Sequence, residues 1–412
     1  MKVLIISNFY PPHYIGGYEL GCRDVVDGLK ARGHAVDVLT STYGVGRPIR
    51  EGGICRWLQL QSSGKHLLLS KFVQLLHREI RNQRAAERAL RTSRPDLVYI
   101  WNLRLLSVSL ARLAEDSGLP VCYFVSDPWL CTWELDSWYS LWVGDSRPPA
   151  VRLARALLRP LLVPLRIIPS GSLELQHVQF ASSYLKRTAL EARKPVTQAD
   201  VIHWGIDIDS FIYNKERRKP KRLLYVGQVV PHKGVRTAIE AMRTLIDKYR
   251  HSVQLTLVGG DVGVPGYLTE MRALAHSYGL ESNVKFAGMV PRERLREIYR
   301  DHDILVFPSA WAEPFSITVL EAMSCGLAVV ATQTGGSSEI LQHEVNALVF
   351  APGDANACAN QVLRLLDDHL LFESIRENGR RTVENSFRLQ GMIDRIEQSL
   401  LKAQGTSRRP DC

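Results

Sequence analysis

Two glutamates and the residues around them are the first candidates for chemistry in this chain. Glu313 and Glu321 are separated by seven residues, and a helical pattern begins near Ser316, just after a strand-like apolar run. The first turn of a helix leaves backbone N–H groups unpaired, so the amides after Glu313 would suit a diphosphate. Glu321, on the same helix, would accept hydrogen bonds from ribose hydroxyls. An ordinary alternative is that Glu313 caps the helix and Glu321 is solvated.

A second candidate is Lys233, which begins a new helix shortly after an apolar run that ends on Gly227. A lysine at a helix start can neutralise a leaving phosphate, although surface lysines beside a glycine are common. The histidines His13, His34 and His232 lack metal-ligand spacing, and the two Asp-x-Asp pairs fit helix caps and turns. We therefore expect no catalytic metal and no cofactor.

The elements that must position these residues follow from periodicity. Short apolar runs alternate with amphipathic helical stretches, which is typical of βαβ units and parallel sheets. Predicted strands cover residues 3–7, 35–39, 97–100 and 121–125, then 223–226, 254–258, 284–286, 304–307, 328–331 and 347–350. The 412 residues exceed one ordinary core. The sequence predicts an α/β protein of two Rossmann-like, doubly wound domains that face a central cleft.

A charged, proline-containing run after His203-Trp204-Gly205 is the best candidate for an interdomain linker. We predict an N-terminal domain over residues 1–204 and a C-terminal domain over residues 205–385. A final helix over residues 386–403 is expected to cross back to the first domain, and residues 404–412 are expected to be disordered.

Seven motifs, in order along the chain, resemble those of the retaining GT-B glycosyltransferases of family 4. Besides the Glu313/Glu321 pair and the Lys233 loop, they are Gly16-Gly17 after the first strand and the runs 181–185, 205–207, 288–290 and 334–340. The resemblance covers residues 1–385, most strongly from residue 180. It implies a GT-B fold, a nucleoside-diphosphate sugar as donor, and an N-terminal domain on the acceptor side.

The site roles are implied by that resemblance. Lys233 would bind the donor diphosphate, Glu313 would contact the donor sugar, and Glu321 would hold the ribose; Lys233, Glu313 and Asp127 are the predicted catalytic residues. Further donor contacts are implied for Gly16, Gly17, Gly227, Gln228, Gly288, Val290, Phe315, Ser316, Ile317 and Thr318. Family members are thought to pass the acceptor's proton to the leaving phosphate, so we do not expect Glu313 to act as a covalent nucleophile.

Two positions depart from the family pattern. Gln228 stands where the family has an arginine, which removes one positive charge beside the leaving diphosphate. Ser126, just before Asp127, stands where many members have a histidine, which removes a candidate general base. We interpret the first departure as weaker or rearranged phosphate binding.

Charge and cysteine usage narrow the partners and the compartment. Lys plus Arg number 52 against 42 Asp plus Glu, with the surplus in the N-terminal half. Such a surplus attracts nucleic acid, anionic lipid or phosphorylated substrates, but no nucleic-acid-binding signature is present. Seven scattered cysteines without C-x-x-C spacing fit a reducing compartment. We expect a cytoplasmic protein without a signal peptide or membrane span.

The segment 129–168 allows two interpretations. It contains four of the eight tryptophans, followed by an apolar stretch interrupted by arginines. It is either a surface element that contacts an anionic membrane at its inner face, or an insertion that packs on its own domain and lines the acceptor site. The basic helix predicted over residues 67–91 is likewise either a membrane-surface element or a helix whose arginines form only a solvated face.

The predicted function is retaining transfer of a hexose-type sugar from a UDP- or GDP-linked donor. The acceptor would be a saccharide or lipid-linked saccharide in cell-envelope or exopolysaccharide synthesis. Two alternatives stay open. One is a nucleotide-sugar epimerase of the same fold, and the other is an inactive sugar-nucleotide-binding partner subunit, which Gln228 and Ser126 favour.

Overall fold

The computed structural model describes residues 1–61, 69–143, 149–163, 167–168, 173–213 and 220–406. The chain divides into two compact units: residues 1–202 with the chain from 393 onward, and residues 203–392. The last helix joins the first unit because its residues pack there. Gly28 leaves room for Ile393, and the Arg32 guanidinium lies 2.7 Å from the Glu397 carboxylate.

The first unit is built on an eight-stranded sheet within the described residues, in the order β3-β4-β2-β1-β5-β6-β7-β8. Its elements are β1 (Lys2–Ser7), α1 (Gly17–Ala31), β2 (Ala35–Ser41), β3 (Ile49–Glu51), β4 (Ile54–Leu58), α2 (Leu69–Ser93), β5 (Leu97–Asn102), α3 (Ser109–Glu115), β6 (Val121–Val125), α4 (Ser137–Trp142), α5 (Pro149–Leu162), β7 (His177–Phe180), α6 (Ser183–Glu191) and β8 (Gln198–Val201). Neighbouring strands are parallel except β3 and β4, which are antiparallel.

The second unit is built on a six-stranded parallel sheet, again counted over the described residues, in the order β11-β10-β9-β12-β13-β14. Its elements are β9 (Arg222–Val226), α7 (Val235–Asp247), β10 (Gln254–Val258), α8 (Tyr267–Ser277), β11 (Val284–Gly288), α9 (Arg292–Arg300), β12 (Ile304–Phe307), α10 (Ile317–Ser324), β13 (Ala328–Ala331), β14 (Leu348–Val349), α11 (Ala355–Asp367) and α12 (His369–Ser386). The prediction of an α/β protein with two doubly wound, Rossmann-like sheets is confirmed.

Strand prediction succeeded where a strand appears in the sequence as a continuous apolar run. β5 and β6 are buried along their whole length, because helices cover both sides of a parallel sheet and leave a continuous apolar run. The hairpin of β3 and β4, and the short strands β7 and β8, were not predicted. In β8 polar and apolar residues alternate, with the polar ones exposed, so it carries no apolar run.

The chain end differs from the prediction in its helices. α12 continues to Ser386, and a separate helix α13 (Leu389–Thr406) follows. α13 therefore includes the first residues of the segment predicted to be disordered, because its apolar positions such as Leu400 and Ala403 are buried. Residues 407–412 lie outside the described part of the chain.

The tryptophans of the segment 129–168 are buried. Trp129, Trp133, Trp138 and Trp142 are 5, 9, 1 and 5% exposed. Trp138 and Trp142 belong to a cluster that also contains Leu141, Leu162, Ile167 and Ile168. This part of the segment packs on its own unit, so its aromatic rings do not form a membrane-facing belt.

Candidate functional site

The carboxyl ends of β9 and β12 define the candidate site. In the second sheet the chain runs outward from β9 to β11, then returns to β12 on the other side of β9, so the strand order reverses between them. Open α/β sheets bind ligands at this reversal point, outside the carboxyl ends of the strands. The loop after β9 carries Lys233 and the loop after β12 carries Glu313. The topology therefore brings the two predicted residues to one edge.

Lys233 and Glu313 form an ion pair at this edge. The Lys233 Nζ lies 2.7 Å from Oε1 and 2.8 Å from Oε2 of Glu313. Ser309 Oγ donates a hydrogen bond of 2.5 Å to the same Oε1, and Glu313 is only 4% exposed. A buried carboxylate needs partners of this kind. Because both oxygens accept hydrogen bonds, the carboxylate serves to position the ammonium and is poorly prepared to attack a sugar.

The Lys233 ammonium also meets an aromatic surface. Its Nζ lies 5.0 Å from the centre of the Trp311 ring, which is 39% exposed. The His232 ring contacts Trp311 edge to face at 5.3 Å. Burial and the neighbouring Lys233 lower the pKa of His232. The positive charge of this loop is therefore concentrated on Lys233, between a buried carboxylate and a solvent-exposed ring.

Two glycines let the loops of the site approach each other. Gly234 has a left-handed backbone with φ of +74°, and a Cβ there would lie 2.0 Å from the Pro308 carbonyl oxygen. Gly335, with φ of +56°, would place a Cβ 2.4 Å from the Glu313 carbonyl oxygen. Gly336 N–H donates to that same carbonyl at 2.5 Å. Only glycine fits the first two positions, which explains why the 334–340 motif accompanies the Glu313 loop.

The helix α10 begins as predicted, but a different residue caps it. Ser316 is the N-cap, and its Oγ accepts a hydrogen bond from Val319 N–H. The alternative in which Glu313 caps this helix is therefore wrong. Phe315 is buried, while Ile317 and Thr318 are half-buried in the first turn, where amides lack intrahelical partners.

Glu321 is buried on α10, so the alternative of a solvated residue is also wrong. It is 6% exposed, and its Oε2 accepts a 2.9 Å hydrogen bond from the Tyr299 hydroxyl. An Arg292 nitrogen lies 3.5 Å from Oε1. Burial, and then the charge of Glu321, raise the pKa of Tyr299 well above its usual range. The carboxylate is held in one position, and its contact with a ribose stays a prediction.

The remaining donor-side residues lie in neighbouring loops of the second unit. Gly227 N–H donates to the Val258 carbonyl, and the Tyr225 hydroxyl donates to the Gln228 carbonyl at 2.7 Å. Gln228 is exposed. Gly288 has φ of +73° and accepts from Gly259 N–H. Val290 is half-buried in the loop after β11. Their roles in donor binding stay predictions.

Gly16, Gly17 and Asp127 lie in the first unit. Gly16 is the N-cap of α1, which begins at Gly17, and its N–H donates to the Glu19 carboxylate at 2.9 Å. Asp127 caps the 3₁₀ turn Pro128–Cys131 and accepts hydrogen bonds of 3.0 Å from Trp129 N–H and the Asn102 amide. Burial raises the pKa of Asp127 against the effect of these bonds. This geometry accounts for a structural cap, and its catalytic role stays a prediction.

Sequence reasoning missed several partners of the predicted residues. Ser309 and Trp311 lie in the same loop as Glu313 and could have been named from that proximity. Tyr299 and Arg292 could not, because they come from α9 and reach Glu321 only through the fold. Ser126 is 7% exposed, and its hydroxyl has no hydrogen-bond partner among the described residues.

The described residues contain neither a metal-binding cluster nor a membrane-spanning helix. Over the residues with described positions, no three His, Cys, Asp or Glu side chains come together as a metal site requires. Likewise, no helix in the described ranges combines the length and apolar character needed to cross a membrane.

Comparison with known protein families covers most of the chain. Residues 208–382 match the family described as glycosyl transferases group 1, and residues 16–163 match the glycosyl transferase 4-like domain. The chain belongs to the group 1 glycosyltransferases. The first match contains Lys233, Glu313 and Glu321, and the second contains Asp127. The suspected family is thereby confirmed.

Individual relatives match this glycosyltransferase over nearly its full length. It is 26% identical, over 94% of both chains, to an uncharacterized glycosyltransferase of Methanocaldococcus jannaschii. Its structure resembles sucrose-phosphate synthase from Thermosynechococcus elongatus, with a TM-score of 0.72, 21% identity and coverage of 98 and 99% of the two chains. These similarities confirm the GT-B fold.

A second solved structure similar to this glycosyltransferase contains a ligand. Anabaena HepE in complex with UDP has a TM-score of 0.71, 20% identity and coverage of 98 and 100% of the two chains. HepE has also been solved with UDP-glucose, with a TM-score of 0.68 and 19% identity. At this level of identity the likeness concerns the fold.

Proposed function

We propose that this glycosyltransferase is a retaining, metal-independent enzyme that transfers a hexose from a UDP- or GDP-linked donor to a saccharide or lipid-linked saccharide. The observation that carries the proposal is the Lys233–Glu313 pair at the reversal point of the second sheet, beside the first turn of α10. A cation next to unpaired helix amides is a site for a diphosphate. Because HepE has been solved with UDP and with UDP-glucose, UDP is the first nucleotide to test.

In the proposed reaction, the bond between the anomeric carbon and the β-phosphate oxygen breaks. The acceptor oxygen bonds to the same face of that carbon, and its proton passes to the leaving phosphate. Lys233 and the first-turn amides, including those of Ile317 and Thr318, stabilise the charge on the departing diphosphate. Glu313 holds the ammonium in place, and Glu321 orients the ribose. The chemistry is chiefly electrostatic, so no step requires a metal ion.

We place the reaction in the cytoplasm, in cell-envelope or exopolysaccharide synthesis. The six cysteines in the described part of the chain carry free thiols, and most of them are buried. Free thiols are usual in reducing compartments, where nucleotide sugars are also at hand.

The first experiment is a thermal-shift series with UDP, GDP, ADP and their sugar conjugates, each with and without EDTA. A ligand at about 100 times its Kd raises stability by about 2.7 kcal/mol. We expect nucleotides with one base to raise the Tm of wild type, to raise that of Lys233→Ala by at most about half as much, and to do so equally with and without EDTA. Product formation with glycan acceptors is then followed by mass spectrometry, and the anomeric configuration by NMR.

Three results would contradict the proposal. Tm shifts without transfer or hydrolysis, for every donor and acceptor, would indicate an inactive partner subunit. Release of an altered sugar or sugar nucleotide without acceptor would indicate the epimerase alternative. A product with inverted configuration would exclude the retaining mechanism.

A further inference from the structure

Helix α5 presents a row of leucines to solvent. Leu153, Leu157 and Leu161 are 64, 67 and 69% exposed. They recur every four residues, so they lie on one side of the helix over about 12 Å. Single exposed leucines are ordinary, but a continuous apolar row usually marks a surface that is covered by something else.

The same helix is anchored by a different side. Leu162 is 8% exposed, and Leu158 packs against the cluster that contains Trp138 and Trp142. The exposed row is therefore a second apolar side of a helix whose first apolar side is already buried. Because the tryptophans are inside the unit, these three leucines supply most of the exposed apolar surface of the segment 129–168.

The charge on α5 has one sign. Its sequence contains Arg152, Arg155 and Arg159 and no Asp or Glu. Arg152 and Arg159 are exposed, whereas Arg155 donates a hydrogen bond to the Trp142 carbonyl. An amphipathic helix with leucines on one side and arginines on another is the type that lies in the surface of an anionic membrane.

Helix α2 adds a basic row to the same part of the first unit. Arg81, Arg84, Arg88 and Arg91 are exposed, and their spacing of three or four residues places them on one side of the helix. The other side of α2 packs, through Phe72, Leu75, Leu76 and Ile80, on the same cluster as α5. The two helices are thus parts of one packed substructure.

We propose that the leucine row of α5 and the arginine row of α2 dock this enzyme on an anionic lipid membrane. Positive charge disfavours a second copy of the chain as the occupant, because self-association would bring like charges together. The leucines are unsuited to a purely polar partner. The proposal extends the lipid-linked acceptor proposed above, but lipid binding is measured without donor or acceptor, so either proposal can fail alone.

The test is co-sedimentation of the full chain with vesicles of phosphatidylcholine alone and of phosphatidylcholine mixed equally with phosphatidylglycerol. Each basic residue near an anionic surface contributes about 1 kcal/mol, or about fivefold in binding. We expect at least about tenfold stronger binding to the anionic vesicles, and weaker binding when salt is raised from about 0.1 to about 1 M, because screening is stronger.

Two variants separate the apolar and charged parts. The triple change Leu153→Gln, Leu157→Gln and Leu161→Gln keeps helix propensity and removes the apolar row, and we expect at least about tenfold weaker binding. The double change Arg81→Gln and Arg84→Gln should weaken binding to anionic vesicles by about tenfold or more. Both should leave the Tm and the nucleotide-induced shift unchanged.

Matched controls come from other exposed positions. Leu190→Gln with Leu370→Gln and Leu401→Gln changes leucines that are 48, 83 and 45% exposed, and Arg187→Gln with Arg381→Gln removes the same charge. Neither control should affect vesicle binding. Equal binding to both vesicle types, binding unaffected by the leucine change, or a change in oligomeric state in place of lipid binding would each overturn the proposal.

Discussion

Two buried glutamates, one in each unit, differ in what lies beside them. Glu313 is 4% exposed and lies 2.7 Å from the Lys233 ammonium. Glu79, on α2, is 3% exposed, and its hydrogen bonds come from the neutral side chains of Ser109 and Gln83. Burial raises the pKa of Glu79 to about 8. The two carboxyl groups are buried to a similar extent, and of the two only Glu313 lies beside a cation.

This comparison shows why only one of the two regions suits a charged ligand. A carboxylate beside an ammonium holds that ammonium at a fixed place, where a diphosphate can use it. A carboxyl group among neutral donors holds a proton near neutral pH and joins α2 to the neighbouring elements. The following predictions test this difference, from the largest expected effect to the smallest.

Removing the titration of Glu79 should change how stability depends on pH. Its pKa in the folded chain, about 8, is above the ordinary value of 4.5, so wild type loses stability as pH rises between these values. The loss is at most about 1.4 kcal/mol per pH unit, or a few kcal/mol in total. Urea unfolding from pH 5 to pH 8 should therefore show a flatter dependence for Glu79→Gln. The exposed Glu87→Gln on the same helix should keep the wild-type slope, and equal slopes for all three proteins would refute the assignment.

Adding a methyl group at Gly234 should separate the loops around Glu313. The positive φ and the close approach to Pro308 together should cost about 3 kcal/mol or more in free energy of unfolding for Gly234→Ala. Gly263 has φ of +87° with open space around it, so Gly263→Ala should lose only about 1 kcal/mol. The difference, measured by chemical denaturation, isolates the steric contact. Similar losses in both variants would mean that the loops do not touch as described.

Removing Lys233 should leave Glu313 in the situation of Glu79, buried beside a hydroxyl. Loss of a charge-assisted hydrogen bond costs about 1.5–3 kcal/mol, so Lys233→Ala should raise the Kd of the nucleoside diphosphate by about ten- to a hundredfold. Isothermal titration calorimetry measures this directly. Lys285→Ala, an exposed lysine on β11, is the control. Unchanged affinity in Lys233→Ala would remove this residue from the site.

Adding a cation at Gln228 should increase the positive charge near Lys233, in the second unit. The side chain is exposed, so Gln228→Arg should tighten diphosphate binding by about 0.5–1 kcal/mol, or about two- to fivefold. Gln254→Arg makes the same charge change at the amino end of β10, away from the reversal point. If both variants bind equally well, the effect is one of net charge and Gln228 does not face the phosphate.

Much of the fold could be predicted because most buried parallel strands appear in the sequence as continuous apolar runs. The apolar runs of β1, β5 and β12 can be recognised from the sequence. The ordered motifs likewise single out Lys233, Glu313 and Glu321 as candidate site residues. The strands β7 and β8 were missed because two of the four residues in each are polar, which interrupts the apolar run. The caps were only partly predictable: Ser316, not Glu313, caps α10, since a serine oxygen reaches the first-turn amides directly.

The sequence by itself determined the fold class and the family, and it predicted the donor-site residues, because these depend on local periodicity and on residues in fixed order. Tertiary structure alone decided which side chains lie in contact. Lys233 and Glu313 are 80 positions apart, and the pairing of β9 with β12 brings their loops together. Tyr299 meets Glu321, and Glu79 retains its proton, for the same physical reason: burial and partners are properties of neighbours in space, which the order of residues does not state.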